Sequence, residues 1–328
     1  MKTWIALLLA VMMAAVCCAA LADYPVTLKD QTGREVTIEA QPERIVSGYY
    51  ISTSACIALG LEDNMAAVEA KADKRNIYRL AAPQLIDMPN VGTAKAFDLE
   101  ACLAAQPQLV ILPKRLKDAA ASLAEFGIPA LLVSPESGEL LDEMITLIGE
   151  ASGTQERAAA LIGFGAQQLA ALAEKLAGAE PVSALMLGNS DYLSCAPGDM
   201  YQNTVLENAG AKNAAAELSG GDFAALSYEQ LLSMNPLALI IPAEASYTAD
   251  DVLGDAELAA LDAVKLGAVY EMPRGFEAWD SPVPSGVLGA VWAAHVLHPD
   301  LVSREDYVSA AKAMYETFYG FTPDEAAL

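Results

Sequence analysis

The sequence contains very few histidines and few cysteines, and each shortage excludes a class of protein. Only His295 and His298 occur in 328 residues, so a zinc or manganese site built from several histidines cannot form. Three cysteines follow the apolar N-terminal segment, namely Cys56, Cys102 and Cys195. Their odd number leaves at least one thiol free in an oxidising compartment. Each lies in an apolar stretch, so we expect buried core cysteines.

Basic residues are scarce as well. Lysine and arginine together number 19 against 43 aspartates and glutamates, which gives a formal net charge of −24. A surface of this charge repels nucleic acid and anionic lipid. We therefore expect no nucleic-acid partner, and we attribute most of the charge to solubility.

The motifs of common enzyme classes are missing too. No Gly-x-Ser-x-Gly elbow, phosphate-binding loop or dinucleotide fingerprint follows a predicted strand. The two histidines lie close together on a late helix, with no nucleophile near them in sequence. We therefore predict a protein that has no catalytic activity, no metal site and no cofactor of its own.

The first 22 residues have the pattern of a secretory signal. Lys2 precedes an apolar run over residues 5–20, and Ala20-Leu21-Ala22 supplies small residues at a cleavage site. We predict a signal peptide over residues 1–22 and export to the periplasm. A retained anchor helix is the alternative, although the run is shorter than the roughly 18 residues of a membrane span.

Lipid modification of Cys17 or Cys18 is a further alternative for this segment. Val16 stands before Cys17, and it is bulky where a lipidation site favours small residues. A lipidated chain would be held at the outer face of the cytoplasmic membrane. No later stretch reaches the length of a membrane span.

The pattern after residue 22 predicts a β-hairpin and then two α/β units. Apolar and polar residues alternate across residues 26–38 around Gly33. Short apolar runs, typical of strands covered on both faces, then alternate with helical patterns. The predicted strands are 44–48, 66–68, 109–112, 130–133, 183–187, 237–241 and 268–270. The predicted helices outside the connection are 52–60, 117–126, 204–209, 227–234, 256–261, 287–297 and 303–318.

A single long helix is predicted between the two α/β units. Residues 154–176 are rich in Ala, Leu and Gln, and Thr154 and Gly178 can begin and end the helix. We therefore predict an α/β fold of two parallel-sheet lobes joined by one long helix, with a ligand cleft between the lobes. The predicted divisions are an N-terminal lobe over 23–152, the connecting helix over 153–178, and a C-terminal lobe with terminal helices over 179–328.

A weak internal repeat supports two lobes of similar build. Residues 97–111 and residues 226–240 each contain a glutamate, a short helical pattern, a proline and a strand. Glu100 and Glu229 each precede the proline of their segment by seven residues. Similar units at matching places in two halves indicate similar lobes.

The order of these elements resembles the periplasmic-binding family that serves ABC importers of ferric siderophores, haem and cobalamin. The resemblance covers nearly all of residues 24–320, and it depends on order and spacing because no single motif is decisive. Its carrying segments are Lys29-Asp-Gln-Thr-Gly-Arg-Glu-Val36, Pro42-Glu-Arg-Ile-Val46, Ala58-Leu-Gly-Leu-Glu-Asp63, Val205-Leu-Glu-Asn-Ala-Gly210 and the two segments of the repeat.

The resemblance implies a role for Glu100 and Glu229. In this family a glutamate at this place on each lobe tip docks onto arginines of the membrane permease, a charge-assisted and geometrically specific pairing. The alternative is that each glutamate only stabilises the N-terminus of a short helix.

Several polar and aromatic residues follow predicted strands, where open α/β sheets bind ligands. Tyr49 and Tyr50 are prominent, since a tyrosinate can ligate iron and an aromatic ring can cover a macrocycle; the alternative is packing between the lobes. For the basic residues the alternative is a solvated face, and for Trp279 it is a plug in a packed loop. The candidate ligand-binding residues are Tyr49, Tyr50, Lys71, Arg75, Lys114, Arg115, Asn189, Tyr192, Tyr201, Arg274 and Trp279.

The resemblance implies capture of an iron chelate, haem or a corrinoid, and its delivery to a permease dimer by a monomeric receptor. An iron or cobalt atom would then belong to the ligand. An oxyanion such as molybdate is the alternative ligand, because some relatives of this fold take compact anions. A sensor or surface-interaction domain of the same fold is the alternative function.

Overall fold

The computed structural model describes residues 24–328, so the predicted signal peptide lies outside the described residues. The chain begins with an antiparallel hairpin of β1 (Val26–Lys29) and β2 (Glu35–Ile38). Asp30 fixes the turn, because its carboxylate accepts from the backbone N–H of Thr32 at 2.9 Å and of Arg34 at 3.0 Å. The same carboxylate accepts from the N–H of Leu132 at 3.2 Å, which attaches the hairpin to the first sheet.

The first lobe is built around a parallel sheet of four strands in the order β4-β3-β7-β8. Its strands are buried along their length, which explains their continuous apolar sequences. The strands are β3 (Ile45–Ser47), β4 (Met65–Ala67), a short antiparallel hairpin of β5 (Gly92–Thr93) and β6 (Ala96–Phe97), β7 (Leu109–Pro113) and β8 (Ala130–Val133). The helices are α1 (Tyr50–Ala58), α2 (Asn76–Ala81), α3 (Leu99–Ala104), α4 (Lys117–Glu125) and α5 (Gly138–Ser152).

Helix α5 was not anticipated from the sequence, although its terminal signals are present. The Ser137 hydroxyl accepts from the N–H of Leu140, and Gly153 ends the helix with a φ of +76°. The helix buries apolar residues such as Met144 and Ile148 against its neighbours. The short helix α2 was also missed, because six residues give too little periodicity to recognise.

Helix α6 (Gln155–Lys175) follows α5 and corresponds to the predicted connecting helix. It contacts α5 of the first lobe, and α7 and α11 of the second. Its 21 residues are interrupted by neither proline nor a kinked segment. One long helix therefore separates the two sheets along the chain.

The second lobe is built around another parallel sheet of four strands, in the order β11-β9-β13-β14. The strands are β9 (Val182–Met186), β10 (Ser194–Cys195), β11 (Ala211–Asn213), β12 (Ala224–Ala225), β13 (Ala238–Ile241) and β14 (Val269–Glu271), with β10 and β12 paired apart from the main sheet. The helices are α7 (Tyr201–Asn208), α8 (Tyr228–Met234), α9 (Ala249–Leu253), α10 (Asp262–Leu266), α11 (Val287–Leu297) and α12 (Arg304–Met314).

The two sheets have the same strand order. In each sheet the first strand along the chain lies between the second strand, which is at the edge, and the third strand, and the fourth strand lies beyond the third. The predicted α/β fold of two parallel-sheet lobes is therefore confirmed. One predicted helix, over residues 256–261, is wrong in position. Only Ala256–Leu258 forms a helical turn, and α10 begins at Asp262 because Leu261 has an extended backbone.

The hydrophobic core lies on both faces of each sheet. One cluster runs through the hairpin, α1, α5, α6, α11 and α12, and two others cover the opposite faces of the two sheets. Among the described residues, Cys56, Cys102 and Cys195 are buried and free, as expected. Within this part of the chain no helix is both long and apolar enough to cross a membrane.

Candidate functional site

A small cavity lies between the two lobes, beyond the carboxyl ends of strands from both sheets. The first lobe contributes Tyr50, just after β3, and Arg75, after β4; the second contributes Glu244, after β13, and Arg274, after β14. The cavity volume is about 160 Å³. Carboxyl ends of parallel strands are favoured ligand sites in such folds. The lining residues are Tyr50, Ser54, Lys74, Arg75, Asn76, Ile77, Tyr78, Ala243, Glu244, Arg274, Phe276, Glu277, Ala278 and Val283.

Tyr50 forms one wall of this cavity. The Arg75 guanidinium lies 4.2 Å from the centre of its ring, and its hydroxyl donates to Ser281 Oγ at 3.2 Å. The ring of Tyr49 meets that of Tyr50 edge to face, with centroids 5.6 Å apart. Burial raises the pKa of Tyr50 to about 12 and raises the pKa of Tyr49 further. Both phenols are therefore protonated at neutral pH, and the Tyr50 hydroxyl acts as a hydrogen-bond donor.

Arg75 crosses the space between the lobes. It precedes α2 in the first lobe, and its Nη1 donates to Glu244 Oε1 of the second lobe at 2.6 Å. The arginine is the more shielded partner, since 27% of its side chain is exposed against 50% for the glutamate. This ion pair closes one side of the cavity.

Arg274 is held more firmly, and from within its own lobe. Its Nη1 donates to the carbonyl oxygen of Ala245 and its Nη2 to that of Tyr247, each at 3.0 Å. Its Nη2 is also 3.2 Å from the carboxylate of Glu271. These contacts fix the position of the second positive charge of the cavity.

Glu277 lies in the cavity wall as a buried, fully hydrogen-bonded carboxylate. It accepts from the hydroxyl of Ser54 in α1, from the hydroxyl of Ser285 ahead of α11, and from the hydroxyl of Tyr319 at 2.9 Å. Burial raises the pKa of Glu277, and the three hydroxyl donors partly offset this rise. The contacts tie helix α1 of the first lobe to two C-terminal segments.

Of the candidates named from the sequence, Tyr50, Arg75 and Arg274 line the cavity. Lys71, Lys114 and Arg115 are exposed, and they do not line it. Their charges are favourably solvated outside the cavity. The structure therefore separates the basic candidates into cavity residues and surface residues.

Tyr49 packs against Tyr50 in the first lobe without lining the cavity, and Asn189, Tyr192 and Tyr201 lie in the second lobe and do not line it either. The Tyr192 hydroxyl donates to Asp255 at 3.0 Å. Asn189 lies in the loop after β9, and the backbone carbonyl of Asn189 accepts from the N–H of Ser246 at 2.9 Å. Tyr201 is buried beside a second, larger groove between helices α5, α6, α7 and α11.

The placement of Trp279 in a ligand site is corrected by the structure. Its side chain is fully buried, and its indole N–H donates to the Tyr315 hydroxyl at 2.8 Å. The indole ring packs in the core. Trp279 therefore plugs a packed loop, which is the alternative that the sequence left open. Glu244, Ser54 and Glu277 were missed, because their roles depend on partners that are distant in sequence.

Glu100 and Glu229 occupy equivalent places in the two lobes. Each is the second residue of a short helix, α3 or α8, and that helix leads into the third strand of its sheet, β7 or β13. Both side chains are exposed. The capping is done by the preceding residues, since Asp98 accepts from the N–H of Ala101 at 2.9 Å and Ser227 from that of Gln230 at 3.2 Å.

In residues 24–328 no group of three or more His, Cys, Asp and Glu side chains is placed to hold a metal ion. The groups that the cavity offers for hydrogen bonding and ion pairing are Arg75, Arg274 and Lys74, beside the carboxylates of Glu244 and Glu277. These are groups that bind a ligand and hold its position.

The two lobes have the same strand order, a helix joins them, and a polar cavity lies between them. This arrangement is typical of a binding protein that holds its ligand between its lobes. A family comparison agrees, because the periplasmic binding protein family matches residues 45–274. The chain belongs to this family and is a solute-binding protein of an ABC transporter.

Three relatives show the range of the family. The chain is 26% identical to the molybdate-binding protein MolA of Haemophilus influenzae, over 98% of each chain. The solved structure of MolA bound to molybdate has a TM-score of 0.82 and 24% identity, and covers 91% of this chain and 99% of that one. An uncharacterised ABC transporter substrate-binding lipoprotein of Bacillus subtilis is 28% identical over 66% of this chain and 69% of its own. A vitamin B12-binding protein of Photorhabdus laumondii is 26% identical over 62% and 72%.

Proposed function

We propose that this protein captures a tetrahedral oxyanion of the molybdate type in the cavity between its lobes and delivers it to the permease of an ABC importer. The observation that carries the proposal is a small cavity lined by two arginines, Arg75 and Arg274, one from each lobe. The relation to MolA over nearly the full length of both chains supports the same ligand class.

Size supports a compact ligand. Pockets for drug-sized molecules typically enclose about 300–1,000 Å³, whereas this cavity encloses about 160 Å³. A tetrahedral oxyanion fits a space of this size, but haem, a corrinoid or a ferric siderophore requires the lobes to separate.

The donor set supports an anion. Arginine presents several N–H donors in a planar fork that matches the oxygens of an oxyanion. The Tyr50 hydroxyl stays protonated well above neutral pH, because burial raises its pKa to about 12, and it could donate to an anion oxygen by exchanging its bond to Ser281 Oγ. Together these groups supply charge and directed hydrogen bonds.

An iron chelate, haem or a corrinoid is the second candidate ligand. Tyr50 offers aromatic surface in the cavity wall, with Tyr49 packed against it, and one relative of the chain is a vitamin B12-binding protein. A tyrosinate bond to iron would first require loss of a phenol proton whose pKa burial raises. That requirement places this candidate behind the oxyanion.

We also propose that Glu100 and Glu229 dock onto the permease. Their equivalent positions on two lobes of the same strand order present one exposed carboxylate to each half of a two-fold symmetric partner. We propose that the chain does this as a monomeric, exported protein that catalyses no reaction.

A ligand panel tests the proposed function. Native mass spectrometry of the protein from its own host would identify the bound species, and purified protein would then be titrated with molybdate, tungstate, haemin, cyanocobalamin and a ferric hydroxamate. A bound tetrahedral oxyanion is the expected result. Binding of haemin, cyanocobalamin or the ferric hydroxamate, with none of either oxyanion, would replace the first candidate by the second.

A further inference from the structure

The proposed anion site contains a carboxylate in direct contact with one of its arginines. Glu244 accepts from Arg75 Nη1 at 2.6 Å and lines the same cavity. A fixed negative charge beside an anion repels it. The position of Glu244 therefore requires an explanation within the site.

The two arginines differ in how many groups of the protein hold them. Arg274 is bound by two backbone carbonyls and by Glu271. Among residues 24–328, Glu244 is the hydrogen-bond partner that the structure gives the Arg75 side chain. Releasing Glu244 would free the Arg75 guanidinium, whereas Arg274 would keep its backbone contacts.

The Arg75–Glu244 pair is also the kind of ion pair that can be exchanged. Half of the Glu244 side chain is exposed, so water can take over its solvation when it leaves Arg75. Ion pairs that remain open to solvent are weak, because water and salt screen them. A multiply charged oxyanion in the cavity would bind the same guanidinium more strongly and from a more shielded position.

We propose that Glu244 is a displaceable internal counter-ion, which occupies Arg75 in the empty protein and gives way to the incoming oxyanion. This inference rests on the proposed function of the cavity. Every anion that binds must first displace Glu244 from Arg75. This displacement costs free energy, and abundant monovalent anions pair with arginine too weakly to offset the cost. Because Arg75 and Glu244 belong to different lobes, the exchange also releases one contact between the lobes.

The first experiment measures the affinity for molybdate by calorimetry in the wild type and in Glu244→Gln. The variant removes the competing charge and keeps the side-chain shape, so molybdate should bind about two- to fivefold more tightly, the range that the free energy of a solvent-exposed ion pair allows. Asp262→Asn is the matched control, since it neutralises a carboxylate in an exposed ion pair with Lys265 that does not line the cavity. The control should bind molybdate as the wild type does.

The second experiment needs no ligand to detect the pair. A double-mutant cycle of Arg75→Gln and Glu244→Gln, read as thermal unfolding, should show coupling in the absence of anions and none at saturating molybdate. Additive effects without anion would show that the pair does not form, and coupling that persists at saturation would show that Glu244 is not displaced. Either result overturns the proposal.

The outcomes separate this inference from the proposed function. If the wild type binds molybdate and Glu244→Gln binds it equally or more weakly, Glu244 is not a competitor, while the oxyanion site stands. If neither protein binds molybdate or tungstate, the proposed function fails and the exchange fails with it.

Discussion

At the scale of single residues, three buried acids are held by hydrogen bonds from hydroxyl and amide groups. Glu277 accepts from three hydroxyls, and Glu69 accepts from Thr53 and Tyr78, each at 2.6 Å. Asp280 accepts from the backbone N–H of Ala243 at 3.2 Å. Burial raises the pKa of all three carboxyls. Each acid is therefore a point where stability depends on its partners and on pH.

Glu277→Ala should destabilise the protein by about 2–4 kcal/mol. The change leaves the hydroxyls of Ser54, Ser285 and Tyr319 without their acceptor in a buried place, and unsatisfied buried donors are costly. Chemical denaturation measures the loss. Glu316→Ala serves as a control on the protein surface, where a similar truncation should change stability by less than about 0.5 kcal/mol. Equal effects of the two variants would contradict the hydrogen-bonded role of Glu277.

Asp280 should make the protein less stable as the pH rises from about 4 to about 6. Its pKa is raised from 3.8 to about 6 in the folded state, mainly by burial, so the folded protein holds a proton that the unfolded chain has already released. The stabilisation that this proton provides is complete below the pKa of Asp280 in the unfolded state. It is lost as the pH rises through the pKa of Asp280 in the folded state, and the loss in unfolding free energy amounts to up to about 3 kcal/mol.

The measurement is the difference in unfolding free energy between the wild type and Asp280→Asn across this range of pH. Because the variant cannot titrate at this position, the wild type should lose stability relative to it as the pH rises. A constant difference would show that the folded and unfolded pKa values of Asp280 are alike.

At the scale of elements, the equivalent helices α3 and α8 place one carboxylate on each lobe. Replacing Glu100 or Glu229 by Arg should reduce transport sharply and leave ligand affinity unchanged, because the proposed docking would then set like charges opposite each other. Uptake into cells and calorimetry on purified protein are the two readouts. Normal transport by both charge reversals would leave helix stabilisation as their function, and loss of ligand binding would show that the two residues act on the cavity.

A capping variant provides the control for this prediction. Asp98→Ala removes the side chain that caps α3 and should cost about 1 kcal/mol of stability. Its effect on transport should be small, since Glu100 keeps its charge and its place in the helix. The control separates the effect of weakening the N-terminus of α3 from the effect of removing the Glu100 carboxylate.

The connecting helix α6 contains two glycines that its packing does not require. Among the described residues, a β-carbon built on Gly163 or Gly165 would meet no heavy atom within 4 Å apart from its chain neighbours and the adjacent backbone of the same helix. Replacing each by Ala should stabilise the protein by about 0.5–1 kcal/mol, because alanine loses less backbone freedom in a helix. Unfolding experiments test this, and unchanged molybdate affinity would show that binding does not depend on flexibility at these two positions.

At the scale of the whole molecule, the sequence predicts features that depend on neighbouring residues and misses contacts between residues that are distant along the chain. The buried strands β7 and β13 were predicted because continuous apolar runs need only neighbouring residues to be recognised. Arg75 was a candidate because it follows a strand. Its partner Glu244 lies 169 residues away, and no local pattern connects them. Trp279 was misassigned for the same reason, since its partner Tyr315 lies in the C-terminal region.

The central claim is that a compact oxyanion binds between the lobes through Arg75, and calorimetry with molybdate tests it most directly. The wild type should bind one molybdate per chain. Arg75→Gln should weaken binding by about 10- to 100-fold through loss of a charge-assisted hydrogen bond. Arg79→Gln should change nothing, because Arg79 is exposed and does not line the cavity. Absence of molybdate binding in the wild type, or equal affinity in Arg75→Gln, would contradict the claim.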